Sequence, residues 1–130
     1  NLACTEIAIL LIDDDATFRG ALAEMLRDDG HPVLAYGAPA EVPDLATLRA
    51  VHLVITDYDK PGRTGLSFAD EFHAAQPEAP ILLVTAYSTE TIETQLRTRP
   101  FVSLFLKPVE YEALHDGIHR RAGLPGPATA

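Results

Sequence analysis

Five short apolar segments, Ile7–Ile12, Val33–Tyr36, His52–Thr56, Pro80–Val84 and Val102–Leu106, recur along the chain with room for a helix between each successive pair. Alternation of this kind predicts parallel βαβ units in an α/β domain. The first, third and fourth segments are apolar at both alternating positions, as strands covered by helices on two sides must be. The second is short and the fifth is interrupted by Ser103, which suits the sheet edges. The order 2-1-3-4-5 satisfies that placement and the right-handed crossover rule. The expected fold is therefore a doubly wound five-stranded parallel sheet with helices on both faces.

The intervening segments carry helical spacing. Phe18, Ala21, Leu22, Met25 and Leu26 recur at i, i+3, i+4, i+7 and i+8, with Asp15 as N-cap and Gly30 as the stop. Pro39 and Pro43 leave only a short or irregular second helix through Leu45 and Leu48. Phe68, Ala69, Phe72 and Ala75 make a third helix that ends before Pro77. Ser88 to Arg99 offers only Ile92 and Leu96 as large anchors, so this fourth helix is expected to be weakly held. A fifth begins near Val109, buries Tyr111, Leu114 and Ile118, and ends in His119-Arg120-Arg121, where cations complement the helix dipole, before Gly123.

At 130 residues the chain is read as one domain, with a core over about residues 6–122 and a Pro/Gly/Ala-rich tail at 123–130 that is expected to be mobile or to start a linker. The 19 Asp and Glu against 10 Lys and Arg, a net charge of −9, argue against direct nucleic-acid binding. The longest apolar run is far too short to span a bilayer, so no membrane insertion is expected. The single Cys4 forms no internal disulfide and suits a reducing compartment, with cytoplasm as the default. The first residue is Asn1 rather than Met, which leans toward excision from a longer protein.

Ligands of open parallel sheets bind outside the carboxyl ends of the strands, where the strand order reverses. At those ends stand Asp13, Asp14 and Asp15 after the first strand, Asp57 after the third, Thr85 after the fourth and Lys107 after the fifth. Singly, each has a plain structural role: Asp15 as a cap, Asp57 as a turn starter, Thr85 as a strand residue, Lys107 as a solvated strand end. Together, their placement at successive strand ends is poorly explained by chance. Clustered carboxylates suit a hard cation such as Mg²⁺, which also binds phosphate. A carboxylate beside it can act as nucleophile toward phosphorus, while the cation, a hydroxyl and an ammonium each take one equatorial oxygen. Cys4 is isolated and the His residues are scattered, so no zinc site is expected.

Four motifs in this order resemble the response-regulator receiver domains of two-component signalling: Leu11-Ile12-Asp13-Asp14, Val54-Ile55-Thr56-Asp57 with Pro61 and Gly65, Leu83-Val84-Thr85-Ala86, and Phe105-Leu106-Lys107-Pro108. The resemblance covers about residues 6–122 and implies a flavodoxin-like fold. It further implies that Asp57 accepts a phosphoryl group from a histidine kinase or histidine phosphotransfer protein with Mg²⁺ as cofactor. Asp14 would bind the metal directly, Asp13 mainly through water, Asp57 through its carboxylate and Asp59 through its backbone carbonyl. Thr85 and Lys107 would contact the phosphoryl group, and the Lys107–Pro108 bond would be cis. The face made by the fourth helix, fifth strand and fifth helix would change its partner preference or pair with a second copy. Such a protein is a switch with self-phosphorylation and autodephosphorylation chemistry rather than a turnover enzyme.

Two positions depart from the family pattern. Leu104 stands where an aromatic residue is usual, three residues before the Lys, and Lys60 stands before Pro61 in place of Met or Leu. Asp59 and Tyr87, each two residues beyond a site residue, are expected to flank the approach of water to the phosphoryl group. Two other functions compete. Asp57-Tyr58-Asp59 superficially resembles the nucleophile motif of haloacid dehalogenase-like phosphatases, but those carry it on the first strand. A phosphorylation-independent docking module would have no use for the intact set of Asp13, Asp14, Asp57, Thr85 and Lys107. The output domain, the cognate kinase and the oligomeric state are not encoded in any motif.

Overall fold

The computed structural model describes residues 7–42, 49–60, 63–86 and 90–121, with the backbone alone described at 59, 60 and 63–65. The main sheet is built from β1 (Ile9–Ile12), β2 (Val33–Tyr36), β3 (Leu53–Thr56), β6 (Ile81–Thr85) and β7 (Val102–Leu106), in the order β2-β1-β3-β6-β7. All neighbouring pairs in it are parallel. This is the expected 2-1-3-4-5 order. The first strand is shorter than its apolar run, since Ile7 and Ala8 precede the ladder.

Every residue of β1, β3 and β6 is buried. Period-two alternation sorts them into two cores. Ile9 and Leu11 join Ile55, Val84, Leu22, Leu26, Leu114 and Ile118 on one face, whereas Leu10 and Ile12 join Val54, Leu83, Phe68, Phe72 and Ile92 on the other. Burial of each such side chain is worth about 1.5–3 kcal/mol against exposure. The edge strands are half-covered, with Leu34 on β2 and Leu106 on β7 exposed.

Helices α1 (Ala16–Asp28) and α4 (Tyr111–Arg121) cover the first face, and α2 (Gly65–Ala75) and α3 (Glu90–Leu96) the second. Asp15 caps α1 by accepting the Phe18 N–H at 3.1 Å. Gly30 closes that helix at φ +93°, a conformation that L side chains rarely adopt. Helix α3 is only a part of its expected span, and Ile92 is its one buried residue. In α4, Leu114 and Ile118 are buried as expected. Tyr111 is half-buried: its hydroxyl donates to the Asp29 carboxylate and lies 3.3 Å from the Met25 carbonyl at the end of α1, so the ring lies between two helices rather than within the core. Burial, reinforced by Asp29, pushes the Tyr111 phenol above its ordinary range.

One feature differs from the sequence reading. The turn expected after Asp57 is a two-stranded antiparallel ribbon of β4 (Asp59–Lys60) and β5 (Arg63–Thr64). In the second connection, expected to be short or irregular, the described residues include a 3-10 turn at Pro39–Glu41. The expected helix through Leu45 and Leu48, Tyr87, and the tail 123–130 lie outside the described residues.

Candidate functional site

The sheet itself aims the polar residues. Each continues its ladder by one bond past the strand: the Asp13 N–H donates to the Tyr36 carbonyl at 3.1 Å, the Asp57 N–H to the Ile12 carbonyl at 3.1 Å, and the Lys107 N–H to the Thr85 carbonyl at 2.8 Å. Since β1 and β3 are neighbours, Asp13 and Asp57 emerge side by side at the switch point. The side chains therefore start from fixed backbone positions, which is what a preorganised site requires.

Asp13 is 1% exposed. A buried carboxylate needs partners, and this one has several. Its Oδ1 accepts the Asp15 N–H at 2.9 Å and its Oδ2 pairs with Lys107 Nζ at 2.9 Å. Arg19 Nη1 donates to the Asp13 carbonyl at 2.6 Å, tying the first turns of α1 to the same residue. Asp57 Oδ1 accepts the Tyr58 N–H at 2.7 Å, and Asp57 Oδ2 lies 4.0 Å from Lys107 Nζ. Thr56 steadies the same backbone by donating its hydroxyl to the Asp57 carbonyl at 3.1 Å.

One carboxylate oxygen from each of Asp13, Asp14 and Asp57 lies within 4.8 Å of the other two. The donors grade from buried Asp13 through half-buried Asp57 to exposed Asp14. A trio of oxygen donors with no imidazole or thiolate fits a hard cation such as Mg²⁺ and not zinc. Three carboxylates so close together crowd like charges, which a dication would balance.

Of the residues singled out in the sequence, Asp13, Asp14, Asp57 and Lys107 converge. Thr85 is fully buried at the last position of β6, on the strand next to Lys107. Asp59 opens the β4–β5 ribbon, two residues past Asp57. The Lys107–Pro108 bond is cis. Two contributors escaped the sequence reading. Arg19 carries no signal beyond its place on the helix, and the spacing of Phe18 marks a core position alone. Lys107 Nζ lies over the Phe18 ring, 4.4 Å from its centroid. Both residues fall in the turns of α1 that directly follow the acidic run, which is the one sequence clue to their nearness.

The response regulator receiver domain family matches residues 9–119. The chain belongs to that family. It is 35% identical over 121 residues to the response regulator protein FleR of Pseudomonas aeruginosa, covering 91% of this chain and 25% of that protein. It is 35% identical over 111 residues to the transcriptional regulatory protein PdtaR of Mycobacterium tuberculosis, covering 85% of this chain and 54% of that one. The receiver domain thus spans between a quarter and about half the length of these curated relatives. A CheY-like receiver domain from Methanospirillum hungatei superposes with a TM-score of 0.80 at 21% identity, covering 90% of this chain and 94% of that one, which shows the shared fold.

Receiver domains of response regulators act in two-component signalling, where they interact with histidine kinases or phosphotransfer proteins and depend on Mg²⁺. Nothing in these comparisons supports the phosphoesterase alternative. Asp57 follows the third strand of the chain, not the first. Among the described residues, no helix is long and apolar enough to cross a membrane.

Proposed function

We propose that Asp57 is the phosphoacceptor of this receiver domain. The observation that carries the reading is the grouping of Asp57 with two further carboxylates and one ammonium at the switch point of the sheet. In the reaction, a carboxylate oxygen of Asp57 attacks phosphorus, an O–P bond forms, and the N–P bond of a phosphohistidine donor breaks with the electron pair leaving on imidazole. Asp13, Asp14 and Asp57, with the Asp59 carbonyl, would hold Mg²⁺, which supplies charge neutralisation to the phosphoryl oxygens. Lys107, whose Nζ lies 4.0 Å from Asp57 Oδ2, takes a second share of that charge, and the Thr85 hydroxyl takes another after a local rearrangement. The donor is a histidine kinase or phosphotransfer protein, and residues 1–130 act as one receiver unit.

The output face is formed by α3, β7 and α4. One buried anchor in α3 makes it a low-cost element to rearrange, and Leu106 is already exposed on the edge strand. Phosphorylation changes partner or self-association preference there.

Incubation with Mg²⁺ and acetyl phosphate should add one phosphoryl group by intact mass, and Asp57→Asn should abolish it. Equal labelling of the Asn variant would remove Asp57 from the nucleophile role. Identical elution and hydrogen-exchange patterns in the two states would favour a phosphate sink over a switch.

A further inference from the structure

Lys107 is held from two sides by groups of different kinds. Its Nζ pairs with Asp13 Oδ2 at 2.9 Å and sits 4.4 Å from the centroid of the Phe18 ring. A cation within about 6 Å of an aromatic face is drawn to the ring quadrupole. A closed circuit of contacts delivers that ring. Asp13 Oδ1 accepts the Asp15 N–H, Asp15 Oδ1 accepts the Phe18 N–H, the Phe18 ring meets Lys107, and Lys107 returns to Asp13 Oδ2. Phe18 is further seated against the first core cluster.

Asp13 has to serve two cations. On the reading above it belongs to the donor set for a dication, and whatever charge it gives there is withdrawn from Lys107. The Phe18 ring offers no oxygen for a hard cation to coordinate, so its hold on the ammonium is not subject to the same competition.

We propose that Phe18 is a positioning residue whose ring face keeps the Lys107 ammonium between Asp13 and Asp57 while the Asp13 carboxylate is engaged elsewhere. The inference rests on Asp57 being the phosphoacceptor. It gives Lys107 a second anchor of a kind that the acidic cluster cannot supply. A ring that only filled space between α1 and α4 would be served as well by another apolar side chain of similar size.

The test replaces Phe18 by Leu and by phenylalanines carrying successively more fluorine, which strip the ring face of negative potential with little change of shape. Two quantities are read: the NMR shift of the Lys107 ε-methylene protons with and without Mg²⁺, and the rate at which acetyl phosphate labels Asp57. The wild type should show an upfield ring-current shift that persists with Mg²⁺ and is lost in Phe18→Leu. The labelling rate should fall stepwise along the fluorine series, to a loss of roughly 2- to 10-fold at full fluorination. An ε-methylene shift that is the same in the wild type and Phe18→Leu, or a rate that is flat across the series, overturns the proposal. A wild type that takes no phosphoryl group refutes the phosphoacceptor reading instead, and the NMR comparison then decides the role of Phe18 by itself.

Discussion

Gly117 lies directly beneath the ring of Phe105, so close that a Cβ at Gly117 would stand 2.6 Å from Phe105 Cζ. The residue is in the middle of α4, where Gly is about 1 kcal/mol worse than Ala on propensity alone. Its presence there is explained by the close approach of β7. Gly117→Ala must push a rigid ring that packs on the first core cluster, an overpacking that costs about 1–3 kcal/mol. The loss outweighs the helical gain, so the urea midpoint of Gly117→Ala should fall, and Phe105→Leu in the same chain should restore much of it. An unchanged midpoint in the single variant would contradict the packing argument.

Removing the Lys107 charge leaves the Asp13 carboxylate, whose side chain is 2% exposed, without its ammonium. Lys107→Met should lower stability at neutral pH by roughly 2–3 kcal/mol, less than the cost of breaking a fully buried pair because Lys107 is itself partly solvated. On the proposed reading the stabilisation given by Mg²⁺ should be larger in this variant than in the wild type, because Asp13 then lacks its Lys107 partner. Paired denaturation curves with and without Mg²⁺ check both statements. A smaller Mg²⁺ increment in Lys107→Met would show that the two cations do not act on the same carboxylates.

On the proposed reading Mg²⁺ binds the folded site and not the unfolded chain, so the melting temperature should rise with its concentration, by the equivalent of about 2.7 kcal/mol at a hundredfold excess over Kd. Asp14→Ala should weaken that rise. Full Mg²⁺ stabilisation of Asp14→Ala would place the cation elsewhere.

Away from the site, Arg99 joins α2 through a two-pronged contact with Asp70, Nε to Oδ1 at 2.8 Å and Nη2 to Oδ2 at 2.7 Å. The Arg99 hydrogen bond holds the Asp70 carboxyl below its ordinary value, against a smaller opposing effect of burial. A depressed carboxylate contributes stability that is present above the unfolded pKa and lost as pH falls through the folded one. Both side chains are solvated, so Arg99→Gln should cost no more than about 1 kcal/mol at neutral pH. The difference between the variant and the wild type should vanish in acid below the ordinary Asp range. A difference that persists there would assign that part of the effect to contacts of Arg99 other than Asp70, such as the hydrogen bond from its Nη1 to the Gln95 carbonyl.

The sheet order was legible because β1, β3 and β6 are apolar on both faces while β2 and β7 are not, a contrast that burial alone imposes. The strand-end residues were legible for the same reason: in a parallel sheet, the position just past each apolar run is also a position in space. The β4–β5 ribbon was not, because Asp59-Lys60 and Arg63-Thr64 are too short to show a period, and a turn reading accounts equally well for their composition. Phe18 was hidden differently. Its spacing placed it on the buried stripe of α1, and only the crossing of α1 with the end of β7 turns one edge of that stripe toward a cation. Arg19 was hidden because its partner is a backbone carbonyl, which every residue carries.

The ion pair between Lys107 and Asp13 joins positions 94 residues apart. A contact of that sequence separation carries a larger loop-closure cost than the local βα contacts do. With β7 unpaired, Asp13 stands without the Lys107 ammonium. Pairing of β7 with β6 both completes the sheet edge and brings that ammonium to Asp13. Charge balance at the rim is thus tied to the last strand of the sheet, and any opening that detaches β7 also takes the centre apart.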